Sequence, residues 1–135
     1  MRILMAYDDS EPARGLEWLL RSLGVLTTRT RSCNETQSQL SQSSLPHAIF
    51  AAPRLPDGGW SDLLRSAHEI SSSLPVIVVG SQPDVKLYLD VVESGAFDFV
   101  APPYVASDLH HVLESVALNT GFSNPTAVRQ PLTAA

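Results

Sequence analysis

Four short stretches hold most of the residues able to do chemistry. "YDDSEP" (7–12) carries adjacent carboxylates, Asp8 and Asp9, a pairing that can help hold a divalent cation. "AAPRLPDG" (51–58) places Asp57 in a Pro-Asp-Gly turn, "GSQPD" (80–84) offers the hydroxyl of Ser81, and "APPY" (101–104) ends on the aromatic Tyr104. The histidines add little. His110 and His111 are adjacent on a predicted helix and so point roughly 100° apart, a poor arrangement for sharing a metal ion. His47 begins a predicted strand and His68 sits beside Glu69, and neither has the Ser, Cys or Asp neighbours of a catalytic triad. No glycine-rich phosphate loop is present.

Composition narrows the classes further. The 135 residues are 44% hydrophobic and 17% charged, which fits one folded domain with a full core. A formal charge of −5, with nine scattered Lys and Arg, argues against a nucleic-acid surface, because phosphate recognition depends on clustered cations. One cysteine, Cys33, rules out an internal disulfide and a thiolate metal site, so a reducing, cytoplasmic setting is expected. No apolar run is long enough to span a bilayer, and "MRILMAYDDSEP" meets acidic residues before a signal-peptide core develops.

These residues must be positioned by an alternation of strands and helices. "RILMAY" (2–7) reads as a buried strand followed by a helix start, with Asp9 or Ser10 as cap and Pro12 in the first turn. Leu16, Leu19, Leu20 and Leu23 form an apolar stripe ended by Gly24, and Trp18 beside it reads as packing. "VLTTRT" (25–30) reads as a half-exposed second strand. The Ser- and Gln-rich stretch 32–46 reads as a short helix with Leu40 and Cys33 inward, a flexible loop being the alternative.

"HAIFAA" (47–52) is a third strand, and "PRLPDGG" its turn. A helix from about Trp60 follows, with Leu63, Leu64, Ala67 and Ile70 on one face. "PVIVVG" (75–80) is β-branched and apolar throughout, as expected of a central parallel strand. A helix over 83–96 closed by Gly95, a strand over 97–102 and a helix over 107–119 capped by Ser107 or Asp108 complete the series. Residues 121–135 lose periodicity and read as a tail or linker remnant beyond a domain of residues 1–120. Five strands alternating with five helices predict a doubly wound α/β fold whose ligand chemistry lies beyond the carboxyl ends of the strands, where the four stretches fall.

The ordered combination of "RILMAYDD", "HAIFAAPRLPDGG", "LPVIVVGS" and "ESGAFDFVAPPY" resembles the receiver (CheY-like) domain of bacterial response regulators. The resemblance covers residues 2–119. It implies a flavodoxin-like, three-layer α/β/α fold with a five-stranded parallel sheet in the order 2-1-3-4-5. It also implies a site with an acidic pair for magnesium, an aspartate phosphoacceptor, a Thr or Ser hydroxyl and a lysine. Carried over position by position, the pair falls on Tyr7 and Asp8, with Asp9 next. The acceptor falls on Ala52, the hydroxyl on Gly80 and the lysine on Pro102.

The departures from that pattern have chemical consequences. Ala52 has no nucleophilic oxygen, Gly80 no side-chain donor, and Pro102 neither charge nor N–H. Asp8 and Asp9 alone are expected to bind magnesium weakly at most, so no cofactor is expected. Asp57, five residues past Ala52, reads as a turn residue rather than a displaced acceptor, and Ser81 as part of a loop leading to a helix.

The reading is therefore a degenerate, or pseudo-, receiver that is not an enzyme. It would act in two-component or phosphorelay-type signalling through contact with another signalling protein or a second copy. The resemblance places that contact on the helix 4, strand 5, helix 5 face, where Tyr88, Phe99 and Tyr104 are the aromatic candidates and Phe99 matches the family's switch position. The alternative is a small-ligand module using a pocket lined by Tyr7, Ala52, Pro53, Gly80 and Pro102.

Overall fold

The computed structural model describes residues 1–8, 11–42, 44–82 and 84–121. Its five-stranded parallel sheet consists of β1 (Arg2–Ala6), β2 (Leu26–Thr30), β3 (Ala48–Ala51), β4 (Val76–Val79) and β5 (Asp98–Val100), in the order β2-β1-β3-β4-β5. The helices are α1 (Glu11–Ser22), α2 (Cys33–Gln42), α3 (Trp60–Ile70), α4 (Val85–Glu93) and α5 (Ala106–Gly121). This is the predicted doubly wound α/β fold. No helix among the described residues is long and apolar enough to cross a membrane.

Alternation along the strands divides the core in two. Ile3, Met5 and Tyr7 face Leu16 and Leu20 of α1 and Leu109 and Val116 of α5. Leu4 and Ala6 face the other way, into a cluster with Leu40 of α2, Leu63, Leu64 and Ala67 of α3, and Val91 of α4. Ala48–Ala51 and Val76–Val79 are buried along their whole length, because both sheet faces are covered at the centre. Gly24 and Gly95 follow α1 and α4 with φ of 86° and 101°, the left-handed turn that glycine adopts without steric cost.

The Ser- and Gln-rich stretch is a helix after all, anchored by more than Leu40. Thr36 is buried, and its Oγ1 lies 2.6 Å from Thr30 Oγ1 at the end of β2 and donates to the Ser32 carbonyl at 2.8 Å. A hydroxyl pair thus holds a segment that has little apolar surface to bury.

Several expectations need correction. Trp18 does not pack: it is 71% exposed, because a residue two places from both Leu16 and Leu20 points roughly 200° away from the buried stripe. Leu23 lies past the end of α1 and Ile70 is the last residue of α3; both are exposed where their helices stop. The turn after β3 contains a two-residue antiparallel hairpin, Arg54–Leu55 with Gly58–Gly59. Neither Ser107 nor Asp108 caps α5, since the Val105 carbonyl already accepts from the Asp108 and Leu109 amides at 3.0 and 3.1 Å. That helix continues to Gly121, one residue past the expected domain boundary. The proposed caps Asp9 and Ser10 and the tail from residue 122 onward lie outside the described residues.

Replacing Thr36 with Val would leave the buried Thr30 hydroxyl without this partner. The expected cost is about 1–3 kcal/mol. The Thr30→Val/Thr36→Val double variant should lose less than the sum of the singles, which urea titration of the four proteins would measure.

Candidate functional site

At the end of β1, the first position of the expected acidic pair holds Tyr7, whose side chain turns into the core with 2% exposure. Its hydroxyl donates a hydrogen bond to the Glu17 carboxylate of α1. Glu17 Oε2 also accepts from Arg21 Nη2 at 3.0 Å and Thr27 Oγ1 at 3.2 Å. The Arg29 guanidinium lies 4.2 Å from the centre of the Tyr7 ring, a cation–π contact. Burial first, and the bond to Glu17 second, push the Tyr7 hydroxyl up to about 12, so it stays neutral. The residue that follows β1 is thus a neutral phenol tied to the neighbouring helix.

The remaining positions follow the same pattern. Asp8 is exposed, and Asp9 lies outside the described residues. Ala52 is buried, its N–H donating to the Ala6 carbonyl at 2.9 Å. Pro102 is half-buried and joined to Pro103 by a cis peptide bond, and Ser81 is exposed. Among the described residues, no three of His, Cys, Asp and Glu come together to hold a metal ion.

Gly80 is the most informative of these positions. A Cβ added there would lie 2.6 Å from Cζ and 2.9 Å from Cε1 of Phe99. The phenyl ring therefore occupies the space in which any side chain at residue 80 would stand. Phe99 packs against the cluster shared with α4, and its ring meets Tyr88 edge-on with centroids 6.3 Å apart.

Asp57 has a structural role that the turn signal did not reveal. Its two carboxylate oxygens accept from the Cys33 and Asn34 amides at 2.7 and 2.9 Å, capping α2 from 24 residues away. Those two backbone bonds lower its pKa from the ordinary aspartate value. Beside it, Asp62 Oδ2 accepts from the Gly59 amide at 3.0 Å, which closes the start of α3. Burial, and then the nearby carboxylate of Asp57, raise the Cys33 thiol to about 11, so it is held as a thiol. Asp57 is thereby committed to joining the β3 loop to α2.

The three aromatic interface candidates do not form one patch. Tyr88 and Phe99 meet on the α4 side of the sheet, whereas Tyr104 packs against the α1/α5 core. Its hydroxyl is buried without a partner among the described residues, and burial raises it to about 12. The sequence reading passed over a different feature of α4. Val85, Leu89 and Val92 are all exposed, Val85 by 75% and Leu89 by 49%, and their spacing of four and three puts them on one helix face. The signal was present in "VKLYLDVVE", which has more apolar residues than one buried face requires.

No protein-family model matches the chain. Among curated relatives, it is 33% identical over 108 residues to the C4-dicarboxylate transport transcriptional regulatory protein DctD of Pseudomonas aeruginosa, covering 80% of this chain and 23% of that protein. It is 24% identical over 107 residues to the response regulator protein TmoT of Ectopseudomonas mendocina, covering 79% and 48% respectively. The chain thus spans less than half the length of either relative.

The fold matches the crystal structure of a putative response regulator from Chloroflexus aurantiacus with a TM-score of 0.77 and 26% identity, over 85% of this chain and 95% of that one. Sequence and fold together support a response-regulator receiver domain. The exclusion of nucleic acid drawn from net charge gains no support from relatives that include a transcriptional regulatory protein.

The Asp57 cap gives a pH-dependent prediction. Asp57→Ala should lower stability by about 1 kcal/mol at neutral pH, a typical value for loss of an N-cap. Because the folded-state pKa is depressed, the contribution is complete above the unfolded aspartate value near 3.9. It is lost as the pH falls through the lower folded value. Denaturation curves of parent and variant should therefore differ at pH 7 and converge in acid.

Proposed function

We propose that this chain is a response-regulator receiver domain that works without aspartyl phosphorylation, through protein–protein contact on its α4–β5–α5 face. The observation carrying this reading is the Phe99 ring seated in the space above Gly80. A phosphorylation switch needs two states of different affinity and a group that rewards one of them. Here the acceptor position is a buried methyl, and the space for the phosphate-binding hydroxyl is filled by the ring whose movement would report the switch.

Fixing Phe99 inward also fixes what α4 presents. The ring braces Tyr88 from beneath, leaving Val85, Leu89 and Val92 outward as an apolar stripe beside Lys86, Asp90 and Glu93. Either another signalling protein or a second copy could bury that stripe. An antiparallel second α4, with Val85 opposite Val92, would set Lys86 of each copy opposite Asp90 and Glu93 of the other.

Two measurements test the proposal. Incubation with acetyl phosphate and magnesium should give no adduct by intact-mass spectrometry, and beryllofluoride with magnesium should leave tryptophan fluorescence unchanged. A stoichiometric adduct, or a magnesium-dependent fluorescence shift, would overturn it. Separately, Gly80→Thr should drive the Phe99 ring outward, remove the Tyr88–Phe99 nuclear Overhauser contacts and weaken partner binding or self-association at α4 at least tenfold, as should Leu89→Arg. If Gly80→Thr displaces the ring but leaves association intact, the constitutive-face reading fails.

A further inference from the structure

The outer face of α5 holds a pair of donor groups that the fold does not use. His110 and Glu114 stand one helical turn apart, with side chains 68% and 61% exposed. Contact between groups this exposed adds little to stability, so holding the helix together does not account for either residue. His110 Nε2 and Glu114 Oε2 lie 3.3 Å apart, longer than the roughly 2.7–2.9 Å of a charge-assisted hydrogen bond. Two donors on one tetrahedral zinc ion, each about 2.0–2.1 Å from the metal, stand about 3.3–3.4 Å apart. The adjacent His110 and His111 diverge, but this turn-spaced pair already has the spacing of two ligands on one ion.

One chain supplies only these two donors, since among the described residues no three of His, Cys, Asp and Glu come together. A second copy can supply the rest. If two α5 helices cross antiparallel with their two-fold axis level with Val112, residues 110 and 114 are equidistant from the axis. His110 of each copy then falls beside Glu114 of the other. Two imidazole nitrogens and two carboxylate oxygens surround the axis, which completes the four-donor set of a closed zinc site. The same crossing lays Leu118, 59% exposed and four residues beyond Glu114, over the exposed Ala106 of the other helix. It also brings the two Glu114 carboxylates together, and α5 contains no Lys or Arg to offset them. Without a cation that approach is repulsive; a divalent ion balances both charges.

We infer that His110 and Glu114 are half of a metal site, completed by the same residues of a second copy, through which a zinc-class divalent ion pairs two chains along α5. Each imidazole binds through Nε2 as a neutral ring, which leaves its remaining proton on Nδ1, facing water. This pairing is conditional on the metal and does not rest on the reading of α4.

The test uses the full chain carrying Leu89→Arg, which keeps the α4 stripe out of any association, with zinc alone as the probe. Sedimentation velocity should show monomer after treatment with a chelator and dimer once zinc is added, and calorimetry should give one zinc per two chains. His110→Ala and Glu114→Ala should each weaken the zinc-dependent dimer at least tenfold without changing the Tm of the metal-free chain, because both side chains are exposed. His111→Ala should leave the dimer intact. Magnesium should not replace zinc, since it takes oxygen donors and half of this set is nitrogen. The inference is overturned by zinc bound to each chain without a rise in mass, by a zinc-dependent dimer that survives His110→Ala, or by no such dimer at about 100 μM chain.

Discussion

A phenyl ring and a side chain at residue 80 cannot share one space, and much of this molecule's behaviour depends on that exclusion. Gly80 directly follows β4, and its amide donates to the Val100 carbonyl at 2.8 Å, so the backbone there is held to the end of β5. The Phe99 ring is then the movable part, and it lies inward because nothing stands in its way. Its edge-on contact with Tyr88 is of a kind worth about 0.5–1.5 kcal/mol beyond area burial. One missing Cβ therefore sets a rotamer, the rotamer braces a helix, and the helix presents a fixed apolar stripe.

The carboxyl ends of the strands are held by similar internal contacts. Cation binding there would require carboxylates to converge on a point, leaving them to repel one another when no ion is bound. Instead, Tyr7 donates to Glu17 and rests under Arg29, which ties β1 to α1 and β2. Asp57 ties the β3 loop to α2 through two backbone amides. Glu17 and Asp57 are both satisfied by donors of the chain itself.

Strands buried on both faces were legible from composition alone, because "PVIVVG" and "HAIFAA" leave no polar side to misread. What escaped was decided by partners far away in the chain. Thr36 reads as a poor helix residue until Thr30 is placed beside it, and Asp57 reads as turn chemistry until the α2 amides arrive from 24 residues away. Trp18 was misread for a simpler reason: a large apolar residue beside a buried stripe was read as packing, although helical geometry turns it about 200° away.

Two glycines stand in opposite surroundings. Gly80 is crowded: its lack of a side chain is explained by a neighbour already present, the ring of Phe99. Gly15 is open, with ordinary helical geometry and no atom near its absent Cβ, so no internal contact accounts for it. An alanine there would make the same helix more stable.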